Sequence, residues 1–341
     1  MYQRTYLRLC VLAALCFFGF GSPAIGQEVN TNAITWQAVY DMLLDDEESG
    51  DFAKYTISGD GNKVAVAMDG QEVIVMDTDG SNQVTYETPD DYRFLCVSRA
   101  LVTNYDGSRT FVCKCGWTDL FLLESGTVTR VLDEFDPDSW IYRHPNDLRT
   151  TDNGASVYFH TERDVWKISH DGTGLSKVID NKNVPLNGEV GEITSVGDYD
   201  VSGDGSILAF KANASYETDE IYSLQNSGFT QLTNYDDKYK CSAPIISGDG
   251  STLVFGDNKD DVYMAVDPDG SNIRELCASG DNSAGPVLTQ DGALMFYDDN
   301  LAGGGRLVNT DGSGVFNVMP DGFGVYSLGG ISADGTRVCF S

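Results

Sequence analysis

The sequence predicts an all-β protein built from repeated four-stranded antiparallel units. Three observations predict it: one glycine turn recurs at a nearly constant spacing, an apolar strand follows each copy, and a second glycine turn lies between every two successive copies. Four strands of about five residues need about 40–50 residues with their turns, which matches the spacing. Units of this size bury both faces by stacking around a ring, so the sequence predicts a β-propeller.

The first element is the turn between strands A and B of each unit. Its glycines lie 42 to 51 residues apart. The copies are Ser58–Gly61, Asn104–Gly107, Thr151–Gly154, Ser202–Gly205, Ser247–Gly250, Thr289–Gly292 and Ser332–Gly335. A type I turn favours Ser, Asn or Asp at its first position and Gly at its fourth, where φ is positive. Seven copies therefore predict seven A–B hairpins.

The second element is an apolar strand B after each turn. Its centres are Val64–Val66, Thr110–Val112, Val157–Phe159, Leu208–Phe210, Leu253–Phe255, Leu294–Phe296 and Val338–Phe340. Strands that are apolar at consecutive positions are buried on both faces, as in stacked sheets.

Strands C and D complete each unit. An acidic, an aliphatic and an aromatic residue open strand C, as in Asp119–Phe121, Asp164–Trp166, Glu220–Tyr222 and Asp261–Tyr263. A second glycine turn follows, for example Asp77–Gly80 and Asp267–Gly270. Strand D then carries two apolar residues three apart, such as Phe229 and Leu232.

These turns and strands resemble the TolB-like propeller repeat, an exported relative of the WD repeat. The resemblance covers residues 52–341 and specifies the fold far more than the function, because propellers host many unrelated activities. It implies an envelope scaffold in a bacterium. The separate N-terminal domain of TolB has no room in residues 27–51, and this departure argues against a TolB-type role.

Closure of the ring leaves two alternatives. There are seven A–B turns but six C–D turns, because the last repeat ends at Ser341 after strand B. We favour seven blades over six, with the last completed by a strand at Ile34–Met42 from the N-terminal segment. The competing interpretation is a helix, because Trp36, Val39 or Tyr40, and Leu43 share one helical face. A truncated gene is a further explanation.

The first 26 residues have the pattern of a secretory signal peptide. Arg4 and Arg8 form a basic region, Leu9–Phe20 is apolar but too short to span a membrane, and small residues precede Gln27. We therefore divide the chain into a signal peptide (1–26), an N-terminal segment (27–51) and a propeller (52–341). The protein is expected to be periplasmic or secreted.

The charge excludes some partners. The 22 Lys and Arg against 52 Asp and Glu give a net charge of −30. Such a chain repels the phosphates of nucleic acids and disfavours anionic lipid. We expect a soluble monomer without a membrane span, whose partner is a protein or a glycan.

Metal and catalytic patterns are weak. Asp77, Asp79, Asp267 and Asp269 offer carboxylates that suit calcium, but the ordinary explanation is turn chemistry, and we expect no cofactor. The three histidines all lie near the third repeat, with His170 expected to face away from His144 and His160. No nucleophile-elbow motif is present.

The six cysteines outside the signal peptide suggest one pairing. Cys96 and Cys115 are equidistant from the centre of the turn Asn104–Gly107, which places them opposite each other on strands A and B. A β-bulge would shift this register.

The loops between strands B and C and between strands D and A form the most informative surface. They are long, acidic and rich in Tyr and Trp, and loops on a rigid scaffold commonly carry function. The binding candidates are Asp91, Tyr92, Trp140, Tyr142, His144, Tyr235, Asp237 and Tyr239. The sequence thus predicts a non-catalytic binding protein, with a propeller lyase or hydrolase acting on a polysaccharide or peptide as the alternative.

Overall fold

The computed structural model describes most of the repeat region and four residues before it. The described residues are 16–17, 34–35, 54–68, 72–87, 100–113, 119–132, 146–161, 164–182, 184–186, 189–190, 195–215, 218–235, 241–279, 285–299, 304–318 and 328–340. Everything described that is regular is β-strand. The described part of the chain contains no helix with the length and apolarity that crossing a bilayer requires.

Six four-stranded antiparallel sheets follow the predicted repeats, with strands A to D adjacent in chain order. Blade 1 comprises β3 (Lys54–Ile57), β4 (Lys63–Met68), β5 (Glu72–Asp77) and β6 (Val84–Glu87). Blade 2 comprises β7 (Leu101–Thr103), β8 (Arg109–Cys113), β9 (Leu120–Glu124) and β10 (Thr127–Leu132). Blade 3 comprises β11 (Asn146–Thr150), β12 (Ser156–His160), β13 (Val165–Ser169) and β14 (Ser176–Ile179).

Blades 4 to 6 repeat the pattern. Blade 4 comprises β17 (Ser195–Val201), β18 (Ile207–Ser215), β19 (Thr218–Gln225) and β20 (Gly228–Gln231). Blade 5 comprises β21 (Ile245–Ile246), β22 (Leu253–Asp257), β23 (Val262–Val266) and β24 (Arg274–Ala278). Blade 6 comprises β25 (Val287–Leu288), β26 (Leu294–Asp299), β27 (Gly304–Asn309) and β28 (Val315–Asn317).

Three two-stranded sheets complete the description. Blade 7 contributes strands A and B, β29 (Leu328–Ile331) and β30 (Val338–Phe340). A hairpin of β15 (Pro185–Leu186) and β16 (Glu189–Val190) lies between blades 3 and 4 in the chain. β1 (Cys16–Phe17) pairs with β2 (Ile34–Thr35), so the described part of the N-terminal segment pairs with the predicted signal peptide. The remaining residues of the expected closing strand, 36–42, lie outside the described residues.

The blades form a closed ring of seven, as the sequence predicts. The innermost strands contact one another in the order β3, β7, β11, β17, β21, β25 and β29, and β29 contacts β3 again. A chain of backbone hydrogen bonds joins the seven A–B turns in the same order. These bonds run from Asp60 N to Tyr105 O, Tyr105 N to Asp152 O, Asp152 N to Gly203 O, Gly203 N to Gly248 O, Asp249 N to Gln290 O, Gln290 N to Ala333 O and Ala333 N to Gly59 O.

The core lies between successive blades. Strand B is buried at consecutive positions, as in Val157, Tyr158 and Phe159, each at most 1% exposed. Such a strand packs one face on each neighbour, so every blade needs both neighbours to bury its apolar surface. Blade 7 meets this need on both sides: Phe340 packs with Phe296 of blade 6, and Cys339 packs with residues of blade 1.

Candidate functional site

The ring has two unlike faces. In the turn of strands C and D, Thr78 N donates to Asn62 O (2.9 Å) and His170 N donates to Ala155 O (3.0 Å). In blades 1 and 3 these bonds tie the C–D turn to the A–B turn of the same blade. We call this end, made of the A–B and C–D turns, the turn face. The opposite end, to which the B–C and D–A connections belong, is the loop face.

Side chains on the turn face largely satisfy one another within each turn. Ser202 Oγ donates to Asp204 Oδ1 (2.8 Å), and the same oxygen accepts from Ser206 N (2.8 Å). These hydrogen bonds lower the pKa of Asp204. Equivalent bonds recur in the other A–B turns, for example from Ser332 Oγ to Asp334 Oδ1 (2.7 Å). The recurring aspartate therefore acts as a turn acceptor.

The four carboxylates considered for calcium also serve their own turns. Asp77 accepts from Lys63 and from Asn82 Nδ2 (2.6 Å), and Asp79 Oδ1 accepts from Ser81 N (2.8 Å). In blade 5, Asp267 and Asp269 accept the corresponding hydrogen bonds from their own turn. Asp267 Oδ2 accepts from Asn272 Nδ2 (2.7 Å), and Asp269 Oδ1 accepts from Ser271 N (2.8 Å). Within the described ranges, no three His, Cys, Asp or Glu side chains are grouped to hold a metal ion.

The axial opening of the turn face is spanned by side chains. Gln290 Nε2 of blade 6 donates to Asp152 Oδ2 of blade 3 (2.7 Å), across 138 positions of sequence. A Cβ at Gly203 would collide with the Asp152 carboxylate, so the bridge needs glycine beneath it. Tyr105 lies over Gly59 in the same way, with its side chain close to where a Cβ would be (2.5 Å). These side chains cover the centre of the turn face.

Burial perturbs the bridging carboxylate. It raises the pKa of Asp152, the hydrogen bond from Gln290 opposes the rise, and the nearby charge of Asp204 adds to it. No cation is paired with Asp152 among the described ion pairs. The bridge is thus a neutral amide holding an incompletely compensated carboxylate.

Most predicted binding residues on the loop face lie outside the described residues. These are Asp91, Tyr92, Trp140, Tyr142, His144, Asp237 and Tyr239. The proposed pair Cys96 and Cys115 also lies outside them. The described cysteines Cys113, Cys241, Cys277 and Cys339 are free thiols.

Tyr235, the remaining candidate, packs inward. It is half-buried against the core between blades 4 and 5, and its backbone N donates to Glu220 Oε1 (2.8 Å). The other oxygen of Glu220 accepts from Thr233 Oγ1 (2.5 Å). Burial raises the pKa of Tyr235, which also hydrogen-bonds Asp257 and Cys241. The acidic residue that opens strand C therefore anchors the end of strand D, a structural role that the sequence pattern did not reveal.

A charged cluster that sequence analysis missed lies between blades 3 and 4 on the innermost strands. Arg149 Nε donates to Asp200 Oδ1 (2.7 Å), and Arg149 Nη1 donates to Asp147 Oδ1 (3.0 Å). The second oxygen of Asp200 accepts from Ile246 N (3.0 Å), so the cluster extends to blade 5. Burial alone would lower the pKa of Arg149, but Asp147 and Asp200 raise it overall.

Tyr199 and His160 complete this cluster. The guanidinium of Arg149 lies 5.7 Å from the ring centre of Tyr199, whose hydroxyl donates to Asp147 O (2.7 Å). His160 Nε2 donates to Val196 O (2.7 Å), and burial lowers the pKa of this histidine. As expected, His170 lies at the opposite end of its blade from His160.

Backbone irregularity is present here, as it is in other blades. The register of β11 against β12 shifts between Asn146 and Arg149, and that of β17 against β18 shifts between Val196 and Tyr199. Asp147 has a positive φ of 54°. The sequence signal for this cluster was Arg149, a basic residue on an inner strand of a very acidic chain.

Comparison with known proteins supports the fold. No family model matches the sequence, and no curated protein matches it. A solved oligogalacturonate lyase in complex with manganese is 18% identical over 77% of this chain and 78% of its own, with a TM-score of 0.55. The oligogalacturonate lyase of Vibrio parahaemolyticus is 13% identical over 87% and 90%, with a TM-score of 0.57. TolB from Acinetobacter baumannii is 13% identical over 89% and 67%, with a TM-score of 0.47.

These similarities show the fold of the chain. The chain is a β-propeller, similar in fold to the two lyases, and the expected seven blades are confirmed by the sheets described above. The propeller fold that the TolB-like resemblance implied is confirmed by these sheets and by the similarity to the two lyases. At these identities the activity of a neighbour does not transfer to this chain.

Proposed function

We propose that the chain is an exported, non-catalytic binding propeller that holds a protein or glycan partner on its loop face. The observation that carries this proposal is the contrast between the two faces. On the turn face, short turns satisfy their own polar groups, and Asp152, Gln290 and Tyr105 cover the centre. The loop face carries the long D–A connections, residues 88–100, 133–145, 180–194, 232–244, 279–286 and 318–327.

The composition of these connections supports binding. The connection 133–145 holds Trp140 and Tyr142 among acidic residues, and that at 232–244 holds Tyr235 and Tyr239. Aromatic side chains dominate interaction hot spots because they bury large areas at low entropic cost. The acidic surroundings favour partners that are neutral or basic at the contact.

A matched pair of substitutions tests the proposal. Trp140→Ala removes the expected anchor on the loop face, and Tyr105→Ala removes an aromatic that is 37% exposed on the turn face. Losing a central anchor costs about 2 kcal/mol or more of binding, which is about a thirtyfold loss of affinity. We expect a partner isolated from envelope extract by the wild type to bind Tyr105→Ala normally and Trp140→Ala at least thirtyfold more weakly, with the Tm of Trp140→Ala unchanged.

Two outcomes contradict the proposal. One is a partner that is lost with Tyr105→Ala and kept with Trp140→Ala, since binding would then use the turn face. The other is a large fall in the Tm of Trp140→Ala with unchanged binding, which would make Trp140 a packing residue between blades.

A further inference from the structure

Arg149 presents a fixed hydrogen-bond donor on the innermost strands, between blades 3 and 4. Its Nε and Nη1 are held by Asp200 and Asp147, and Nη1 also donates to Leu148 O (2.9 Å). Nη2 makes no hydrogen bond to the described residues, and 18% of the side chain is exposed. A guanidinium held on two edges keeps its third edge in one direction, so Nη2 is a preorganised donor.

His160 supplies a hydrogen-bond acceptor near Tyr199, the tyrosine that the guanidinium of Arg149 also lies against. Because Nε2 donates to Val196 O, the proton of the neutral ring is on Nε2 and Nδ1 carries a lone pair. Nδ1 makes no hydrogen bond to the described residues. The His160 ring lies 6.2 Å from the ring of Tyr199, and the guanidinium of Arg149 lies 5.7 Å from it. Both side chains therefore lie beside one buried ring.

The backbone around this pair is held in an unusual conformation. Asp147 has a positive φ, and both of its functional groups are used: the carboxylate by Arg149 and the carbonyl by the Tyr199 hydroxyl. The inner strands bulge at this level in both blades. Non-glycine residues keep such a conformation only where the surrounding structure over-determines it.

The charges select the ligand class. Asp147 and Asp200 outweigh the single charge of Arg149, whereas Asp198 on β17 pairs with Lys211 (3.0 Å), so the cluster keeps one net negative charge and disfavours an anion. A hydroxyl group accepts from Nη2 and donates to Nδ1, and neighbouring hydroxyls on a sugar ring do both at once. Deepening the function proposed above, on which this inference rests, we propose that Arg149 and His160 bind the hydroxyl groups of an uncharged saccharide.

The experiment uses the full chain and defined probes. Cellohexaose, maltohexaose, mannohexaose and xylohexaose are titrated against it, with hexagalacturonate as the anionic counterpart. We expect binding of at least one neutral oligosaccharide and none of hexagalacturonate. Arg149→Lys and His160→Gln should each weaken that binding about tenfold, the loss of one hydrogen bond to ligand. His170→Gln, on the turn face, should bind as the wild type does.

The pH dependence separates a ligand contact from a structural role. Protonation turns Nδ1 of His160 into a donor, so binding should weaken in acid, and His160→Gln should lose this dependence. The carboxylates facing the ring are Asp147 on β11, Asp164 before β13 and Asp198 on β17, and their charges oppose the effect of burial on the histidine pKa. A purely structural His160 would change the Tm without changing the pH profile of binding.

The inference is overturned if no neutral oligosaccharide binds, if hexagalacturonate binds more tightly, or if both variants bind as the wild type. Should Arg149→Lys fail to fold, His160→Gln decides alone. A polypeptide partner that Trp140→Ala loses and His160→Gln keeps would overturn this inference and leave the proposed function standing.

Discussion

Two separate features of the structure require glycine at position 205, at the end of its A–B turn. Its φ is +74°, a region that side chains rarely adopt, and a Cβ there would lie 2.7 Å from the hydroxyl of Tyr158 in blade 3. The sequence pattern predicts the first demand through turn chemistry. The second arises only when neighbouring blades stack, so it was not predictable from the tetrapeptide.

Two glycine substitutions separate these demands. Gly205→Val should destabilise the fold by the strain of a β-branched residue at positive φ, about 1–3 kcal/mol, plus the clash with Tyr158. Gly126→Val places the same residue at φ +77° with no atom within 4 Å of its Cβ, so it carries the strain alone. Urea denaturation should show the larger loss for Gly205→Val. Equal losses would mean that blades 3 and 4 do not meet as described.

The carboxylate of Asp152 should make the stability of the fold depend on pH in an unusual direction. Because its folded pKa is raised, its ionisation opposes folding above that pKa, and the penalty disappears as the pH falls through it. Asp152→Asn keeps an acceptor for Gln290 and removes the charge, so it should raise the Tm at neutral pH. The gain should vanish in acid.

Asp204, in the A–B turn of the neighbouring blade 4, should show the opposite effect of ionisation on stability. Its folded pKa is lowered by hydrogen bonds, so its ionisation stabilises the fold above the unfolded pKa, and that contribution is lost as the pH falls through the folded pKa. Asp204→Asn should lower the Tm at neutral pH. A Tm for Asp152→Asn at or below that of the wild type at neutral pH would show that its carboxylate is well compensated.

At the scale of the element, the acidic residue before strand C is an anchor for strand D. Asp164 Oδ1 accepts from Asn181 N (3.1 Å), and its other oxygen pairs with Lys177 Nζ (3.0 Å). Asp119 pairs with Arg130 in blade 2 (2.9 Å), in the same relation. The sequence identified the recurrence but not its purpose, because the partners lie at different spacings in each blade.

Removing one anchor should loosen one blade edge. Asp164→Ala leaves the buried N–H of Asn181 without its acceptor, which costs about 1–3 kcal/mol. Glu72, at the matching position of blade 1, is exposed, so Glu72→Ala should change stability by less than about 0.5 kcal/mol. Thermal denaturation of both variants measures the difference. Equal losses of stability for Asp164→Ala and Glu72→Ala would show that the acidic residue before strand C does not anchor strand D.

At the scale of the whole molecule, the sequence predicted the ring but not the bonds across it. Seven turns and seven apolar strands at a regular spacing were sufficient for the architecture. The bridge from Gln290 to Asp152 and the cluster of Arg149 with Asp200 join residues from different blades. Such contacts depend on which blades become neighbours and on how the ring closes, and no local pattern carries that information.

Closure of the ring creates both faces and brings together the cluster of Arg149, Asp147 and Asp200. Amide hydrogen exchange of the residues that link the A–B turns tests it most directly. We expect the amides of Gln290 and Ala333, which join blade 7 to the ring, to exchange as slowly as those of Tyr105 and Asp152. Rapid exchange at Gln290 and Ala333, with Tyr105 and Asp152 protected, would show an open ring and contradict this expectation.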